Sequence, residues 1–190
     1  MTRGRIFVFS AASGAGKNTL INHVRQVIPE MVYSISATTR LPRPGEVDGR
    51  DYFFLSDAEF EKRIRAAAFA EWARVHGYYY GTPRDFIDAA VNSGKNIIMD
   101  IDVQGKKTFD GVYPDAIGIL IVPPGMEELE RRLRARKSDD DATIRLRLAN
   151  AQKEMAFAQS EGKYEYTVVN DDLDRAKHEI VDIVTSLIHP

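Results

Sequence analysis

The chain has 190 residues, 44% of them hydrophobic and 28% charged, with a formal net charge of −2 and no cysteine. That length suits one α/β domain with inserted subdomains, and the apolar share is enough for a core. The charge balance argues against a nucleic-acid partner, the missing cysteines exclude disulfides and thiolate zinc sites, and no apolar run reaches membrane-spanning length.

Ile6 to Phe9 is a short β-branched and aromatic run, read as a buried strand. It follows Arg3 and Arg5 but is far too short for a signal peptide, so the expected location is cytoplasmic. Ser10 to Gly16 is small and glycine-bearing, and from Lys17 on Leu20, Ile21, Val24, Val27 and Ile28 recur at helical spacing. Strand, small-residue loop and helix make the context of a phosphate-binding loop, with Gly14 and Gly16 curling the backbone and Lys17 reaching the phosphates. Two positions depart from G-x-x-x-x-G-K-[ST]: Ala11 replaces the first glycine, and Asn18 stands where a hydroxyl normally ligates Mg²⁺. Thr19 is turned about 100° around the helix and is no direct substitute.

Met31 to Ile35 is a second apolar segment, followed by a long Pro- and Gly-shaped loop from Ser36 to Tyr52. Tyr52 to Leu55 reads as strand, and Ser56 with Glu59 as a capping box opening a helix to about Ala67. Phe69 to Val75 is a strand, His76 to Pro83 an aromatic loop, and Pro83 opens a helix to about Asn92. Lys95 to Asp102 is a strand whose apolar core ends in Asp100, the pattern of a strand delivering a carboxylate beside a phosphate loop. Gln104 to Val112 is a helix, Ala116 to Val122 a strand, Glu127 to Lys137 a charged helix. Asp139 to Asp141 cap a helix to about Ser160, Tyr166 to Val169 is the last strand, and Leu173 to Ile188 the last helix. The alternation predicts a parallel sheet with helices on both faces, with ligands at the carboxyl ends of the strands. Two excursions leave it: a strand-rich insertion from Ser36 to Pro83 and an arginine-rich helical one from Met126 to about Lys163.

Phosphoryl transfer needs mainly positioning and cationic or metal stabilisation, so no nucleophilic Ser–His or Cys–His pair is required. His23, His76, His178 and His189 are scattered and read as surface or packing residues. Arg40 and Arg43 lie three apart, and guanidinium forks bind phosphate bidentately; Ser36, Tyr52 and Tyr80 offer hydroxyl donors to the same site. The alternative is a solvated basic turn. Glu71, in Phe69-Ala-Glu-Trp72, either faces outward or pairs with the adjacent N–H donors of a purine, with Thr82 beside it. Arg132 and Arg136 share a helix face, and Arg147 on the next helix either converges with them or stays in surface ion pairs. As a lid, this excursion would close over triphosphate charge and exclude water.

Taken together, Ser-Gly-Ala-Gly-Lys17, Ser-Ala-Thr-Thr-Arg-Leu-Pro-Arg-Pro-Gly-Glu46 with Gly49 and Tyr52, Glu71-Trp72, Tyr-Tyr-Gly-Thr82, Asp-Ile-Asp-Val-Gln-Gly105 and Val-Asn-Asp-Asp-Leu-Asp174 resemble the guanylate kinase family over nearly the whole chain. The resemblance implies a P-loop three-layer α/β fold with a central parallel sheet, a strand-rich GMP-binding insertion and a helical lid. Its parts would be a core (1–35, 84–125 and 164–190), the insertion (36–83) and the lid (126–163). The implied activity is γ-phosphoryl transfer from ATP to GMP or dGMP with Mg²⁺, by a monomer or dimer needing neither nucleic acid nor membrane. Ser36, Arg40, Arg43, Tyr52 and Tyr80 would hold the GMP phosphate, and Glu71 and Thr82 the guanine. Asp100 and Asp102 fall in the GMP and metal region, with Asn18 and Asp100 as metal ligands. Ala11, Ala12, Ser13, Gly14, Ala15, Gly16, Lys17, Asn18 and Thr19 would take the ATP phosphates, with Asn170 and Asp171 beside the adenine. Lys17, Arg40, Arg132, Arg136 and Arg147 would be catalytic. Ala11 is common in the family, whereas Asn18 departs from it; its amide oxygen is still a Mg²⁺-compatible donor. Two alternatives are a non-catalytic guanylate-kinase-like binding module and a sugar-phosphate kinase such as one for ribose 1,5-bisphosphate.

Overall fold

Strand β1 (Ile6–Ala11) is central because both of its faces have apolar partners. Phe7 and Phe9 join Leu20, Ile21 and Val24 of α1 (Lys17–Val27) and Ala176, Ile180 and Val184 of α7 (Leu173–Ile188). Ile6 and Val8 join Ile87, Ala90 and Val91 of α3 (Arg84–Asn92) and Phe109 of α4 (Val103–Asp110). A strand buried on both faces needs a continuous apolar run, which is what this segment has. The computed structural model describes residues 3–75, 77–135 and 139–189.

β1 pairs in parallel with β7 (Ile97–Asp100) and β8 (Ile117–Val122). β2 (Val32–Tyr33) and β9 (Tyr166–Val169) complete the order β2-β7-β1-β8-β9, with every pairing parallel. Helices on both faces make this the expected three-layer α/β fold. Parallel strands put all their carboxyl ends on one edge, so Ala11 and Asp100 arrive there together, as ligand sites in such sheets require.

A second sheet, in the order β4-β3-β6-β5, comprises β3 (Ala37–Thr38), β4 (Phe53–Phe54), β5 (Phe69–Val75) and β6 (Tyr78–Pro83). It has its own small core under α2 (Asp57–Arg65), where Phe60 stacks on Phe69 and Tyr79 with ring centres 4.3 and 5.1 Å apart. Each such pair adds about 0.5–1.5 kcal/mol beyond area burial. Ser56 caps α2 by accepting from Glu59 N–H at 3.2 Å, while the Glu59 carboxylate takes Arg63 at 3.1 Å. The expectation of an aromatic loop from 76 to 83 is corrected here: from Tyr78 on it is strand, and His76 lies outside the described residues. Pairing with β3 on one side and β5 on the other supplies the order that Gly81 and Pro83 hide in composition.

The other excursion is α5 (Met126–Ala135) and α6 (Asp141–Glu161), the latter capped by Asp140 accepting from Thr143 N–H at 2.7 Å. The expected end of α5 at Lys137 lies outside the described residues. Leu129, Leu133, Ile144 and Ala151 form a small core with Ala12, so this pair of helices packs directly on the loop between β1 and α1. Among the described residues no helix is long and apolar enough to cross a membrane.

Candidate active site

The loop between β1 and α1 takes the shape its glycines permit. Gly14 and Gly16 have φ of 95° and 97°, in the left-handed region. Space is short as well: a Cβ on Gly16 would lie 2.3 Å from Asn170 Nδ2, and one on Gly14 2.9 Å from Leu129 Cδ1. Asn170 is buried and donates from Nδ2 to the Ala15 carbonyl at 2.8 Å, so it braces the loop from behind. The loop residues from Ala11 to Thr19 line a cavity of about 380 Å³ with Asp102 and Glu154, Ala15 alone staying beneath the surface. Asn18 and Thr19 are both exposed.

A second cavity of about 330 Å³ adjoins the first, and Lys17, Asn18 and Asp102 line both. Ser36, Tyr52, Glu71, Tyr80 and Asp100, all singled out in the sequence, line this second cavity. Parallel register sets Asp100 beside Phe9, and its carboxylate is ion-paired with the Lys17 ammonium. Asp102 caps α4, with Oδ1 accepting from Gln104 and Gly105 N–H at 2.9 and 2.7 Å.

Glu71 follows a β-bulge between β5 and β6, a device that re-aims side chains. Its Oε1 accepts from Thr82 Oγ1 at 2.6 Å. Burial pushes the Glu71 carboxyl up to about 7; the Thr82 hydroxyl opposes this and nearby Asp102 reinforces it. The Tyr52 hydroxyl is likewise raised by burial and by Asp100. Tyr33 also lines the cavity, with Arg25 4.5 Å over its ring; burial and then Asp100 push its hydroxyl above the ordinary range. Sequence reading missed Tyr33, Asp51 and Glu154 at these walls. Tyr33 sat inside an apolar segment, Asp51 inside the loop, and Glu154 in a helix where many positions are charged.

The arginines divide. Arg40 forks onto Glu46 with bonds of 3.0 and 2.9 Å and lies 5.6 Å over the Tyr52 ring, so it flanks the cavity without lining it. That fork holds the Glu46 carboxyl below its ordinary range. The Arg43 side chain is exposed, and its N–H donates to Glu46 at 2.7 Å. Arg132 donates to the Asn170 carbonyl at 2.8 Å and to Glu128 at 2.7 Å, which ties α5 to the Asn170–Asp171 turn. Asp171 itself pairs with Arg175. Arg147 pairs with Asp139 at 3.0 Å. Arg132 and Arg147 therefore do not converge on the cavities in this conformation, and Arg136 lies outside the described residues.

The family model described as guanylate kinase matches residues 3–187. The chain is 43% identical over 188 residues to the guanylate kinase of Rubrobacter xylanophilus, covering 99% of this chain and 97% of that one. It is 41% identical to that of Thermotoga maritima, covering 97% and 87%. The crystal structure of guanylate kinase from Anaplasma phagocytophilum superposes with a TM-score of 0.75 at 31% identity, covering 100% of this chain and 88% of that one.

Proposed function

The chain belongs to the guanylate kinase family, and on that footing we propose that it transfers the γ-phosphoryl group of ATP to GMP, giving ADP and GDP. One observation carries the reading: two cavities of different chemistry share a wall made by Lys17, Asn18 and Asp102. The first, lined by a glycine-shaped loop at a helix N-terminus, suits a polyphosphate. The second offers a half-buried carboxylate, Glu71, with Thr82 bonded to it, and hydroxyls from Ser36, Tyr52 and Tyr80. That set suits a guanine, whose adjacent ring and exocyclic N–H groups need two acceptor oxygens, and the phosphate attached to it.

The residues then divide the work. The loop N–H groups hold the donor phosphates, and Lys17 swings from Asp100 to the β- and γ-phosphate oxygens. Arg40 exchanges one anion for another, leaving Glu46 for the acceptor phosphate, and Arg43 joins it. An acceptor phosphate oxygen attacks the γ-phosphorus while the bond to the bridging oxygen breaks and ADP leaves with that electron pair. No general base is needed, because a phosphate monoester with a second pKa near 6 is already a dianion at neutral pH. The Asn18 amide oxygen, at the shared wall, and the Asp100 carboxylate, in the second cavity, are hard oxygen donors that would hold Mg²⁺, and the ion would neutralise charge on the β- and γ-phosphates. Arg132 and Arg147 would reach the transferring group only after the lid helices shift from their Asn170 and Asp139 contacts.

A coupled ADP-release assay with ATP, Mg²⁺ and each of GMP, dGMP, AMP and UMP tests the reading. Turnover is expected with GMP; GMP binding without turnover would mark a binding module, and turnover only with a sugar phosphate would overturn the purine assignment. In the same assay Arg43→Ala should raise the GMP KM roughly tenfold or more, as one charge-assisted phosphate contact is lost. An unchanged KM would put the acceptor phosphate elsewhere. Asn18→Ser should raise kcat roughly three- to tenfold and lower the Mg²⁺ concentration needed for half-maximal rate, because a hydroxyl replaces a longer amide whose NH₂ needs its own acceptor. Equal kcat and equal Mg²⁺ dependence in the two proteins would remove Asn18 from the metal site.

A further inference from the structure

Glu154 stands out in the cavity that the loop encloses. It lies on α6, three residues after Ala151 and four before Ala158, hence on the same stripe as these buried residues and Ile144. Ala151 packs with Ala12 and Leu129, and Ala158 with Val103 and Leu120, so the stripe is anchored at both ends against the loop and the core. Between those anchors Glu154 puts a carboxylate into the cavity, where Oε2 accepts the Ser13 N–H at 3.2 Å. That N–H belongs to the loop whose donors suit phosphate oxygens. A carboxylate and a phosphate oxygen are alike as acceptors from such backbone donors, and both are anions.

We propose that Glu154 is an internal competitor for the donor-phosphate site: it holds the Ser13 N–H and must surrender it to the polyphosphate. The proposal rests on the kinase reading for the identity of that polyphosphate. Because the carboxylate belongs to an anchored stripe, a phosphate oxygen arriving at Ser13 repels it, and the repulsion is passed to α6. Loop occupancy and lid position are thereby coupled through one side chain. Burial and the field of Asp102 press Glu154 toward its neutral form, with the Ser13 N–H and Lys17 opposing them, so the contact is one that a stronger anion can displace.

Calorimetric titration of inorganic tripolyphosphate, and then of ATP, into the full-length protein and into Glu154→Gln and Glu154→Asp variants provides the test. The Gln variant keeps the shape and loses the charge, and should bind both anions roughly three- to tenfold more tightly than the parent. The Asp variant keeps the charge on a shorter stem and should fall between. GMP affinity, read at the other cavity, reports that each variant is folded. Equal or weaker tripolyphosphate and ATP binding by the Gln variant, with the parent binding both, would overturn the competitor role and leave the kinase reading standing. Failure of the parent to bind either anion would overturn both.

Discussion

Lys17→Met will lower kcat by about three orders of magnitude or more while weakening GMP binding less than tenfold. The expectation follows from where Lys17 sits. It opens α1, lines both cavities, and is paired with Asp100 with only 19% of its side chain exposed. A cation placed beforehand where charge accumulates in transfer is worth several kcal/mol in a site that excludes water, and each 1.36 kcal/mol is about tenfold in rate. Methionine keeps the aliphatic stem, so the loop can keep its shape. The variant also leaves Asp100 without its counter-charge, at a cost of about 1–3 kcal/mol in stability. Stopped-flow or coupled assays give kcat, calorimetry gives the GMP Kd, and thermal melts check folding. A folded variant with kcat within tenfold of the parent would remove Lys17 from the chemistry.

Much of this arrangement could be read in the residues, and physics explains which parts. β1, the loop and α1 were legible because an apolar run, two glycines and a helical repeat each carry their own local signal. The last helix was legible for the same reason: Leu173–Ile188 combines a buried stripe with the Asp172 cap, whose side chain accepts from Arg175 N–H. β6 was not, because its order comes from two neighbouring strands and its own residues, with Gly81 and Pro83 among them, point to a turn. Nor was β3, two residues long inside a Pro- and Gly-rich stretch. Candidate site residues were legible by type more than by state. Ser36, Tyr52, Tyr80, Glu71 and Asp100 share one cavity, but nothing local said that Arg40 would fork onto Glu46 or that Arg132 would hold the Asn170 carbonyl. Those contacts depend on long-range packing, where a guanidinium takes whichever anion or carbonyl the fold brings near. Glu154 depends on tertiary placement most of all, since its meaning comes from facing Ser13 across the cavity.

Glu71→Gln should cut kcat/KM for GMP by about two to three orders of magnitude and at the same time stabilise the protein at alkaline pH. Two carboxylate oxygens match the two adjacent N–H donors of guanine; an amide offers one acceptor and sets its NH₂ against the second donor. Losing hydrogen bonds to a charged acceptor and leaving a buried donor unpaired costs about 3–4 kcal/mol. The same residue sets a pH dependence. Burial pushes its carboxyl up to about 7, and only the ionised form offers both oxygens as acceptors to guanine. GMP affinity should therefore fall as pH drops below about 7, with a proton released on binding. The GMP phosphate also titrates near this range, so the diagnostic quantity is the ratio of parent to Gln-variant affinity, which should shrink toward acid pH. Stability runs the other way. A carboxyl whose folded pKa of about 7 stands above its ordinary 4.5 contributes stability that is complete below pH 4.5 and lost as pH rises through 7. At pH 8 the parent therefore carries a burden of about 1–3 kcal/mol that glutamine lacks, and at pH 5 the difference falls to about a quarter of that. Melting curves of both proteins at the two pH values, beside calorimetry with GMP, measure the two effects separately. A parent whose GMP affinity is flat from pH 6 to 8, relative to the variant, would take Glu71 off the base. A variant no more stable at pH 8 than at pH 5, relative to the parent, would mean that the carboxylate is solvated where it sits. The expected pairing of lost recognition with gained stability is the mark of a charge kept buried for the sake of a ligand.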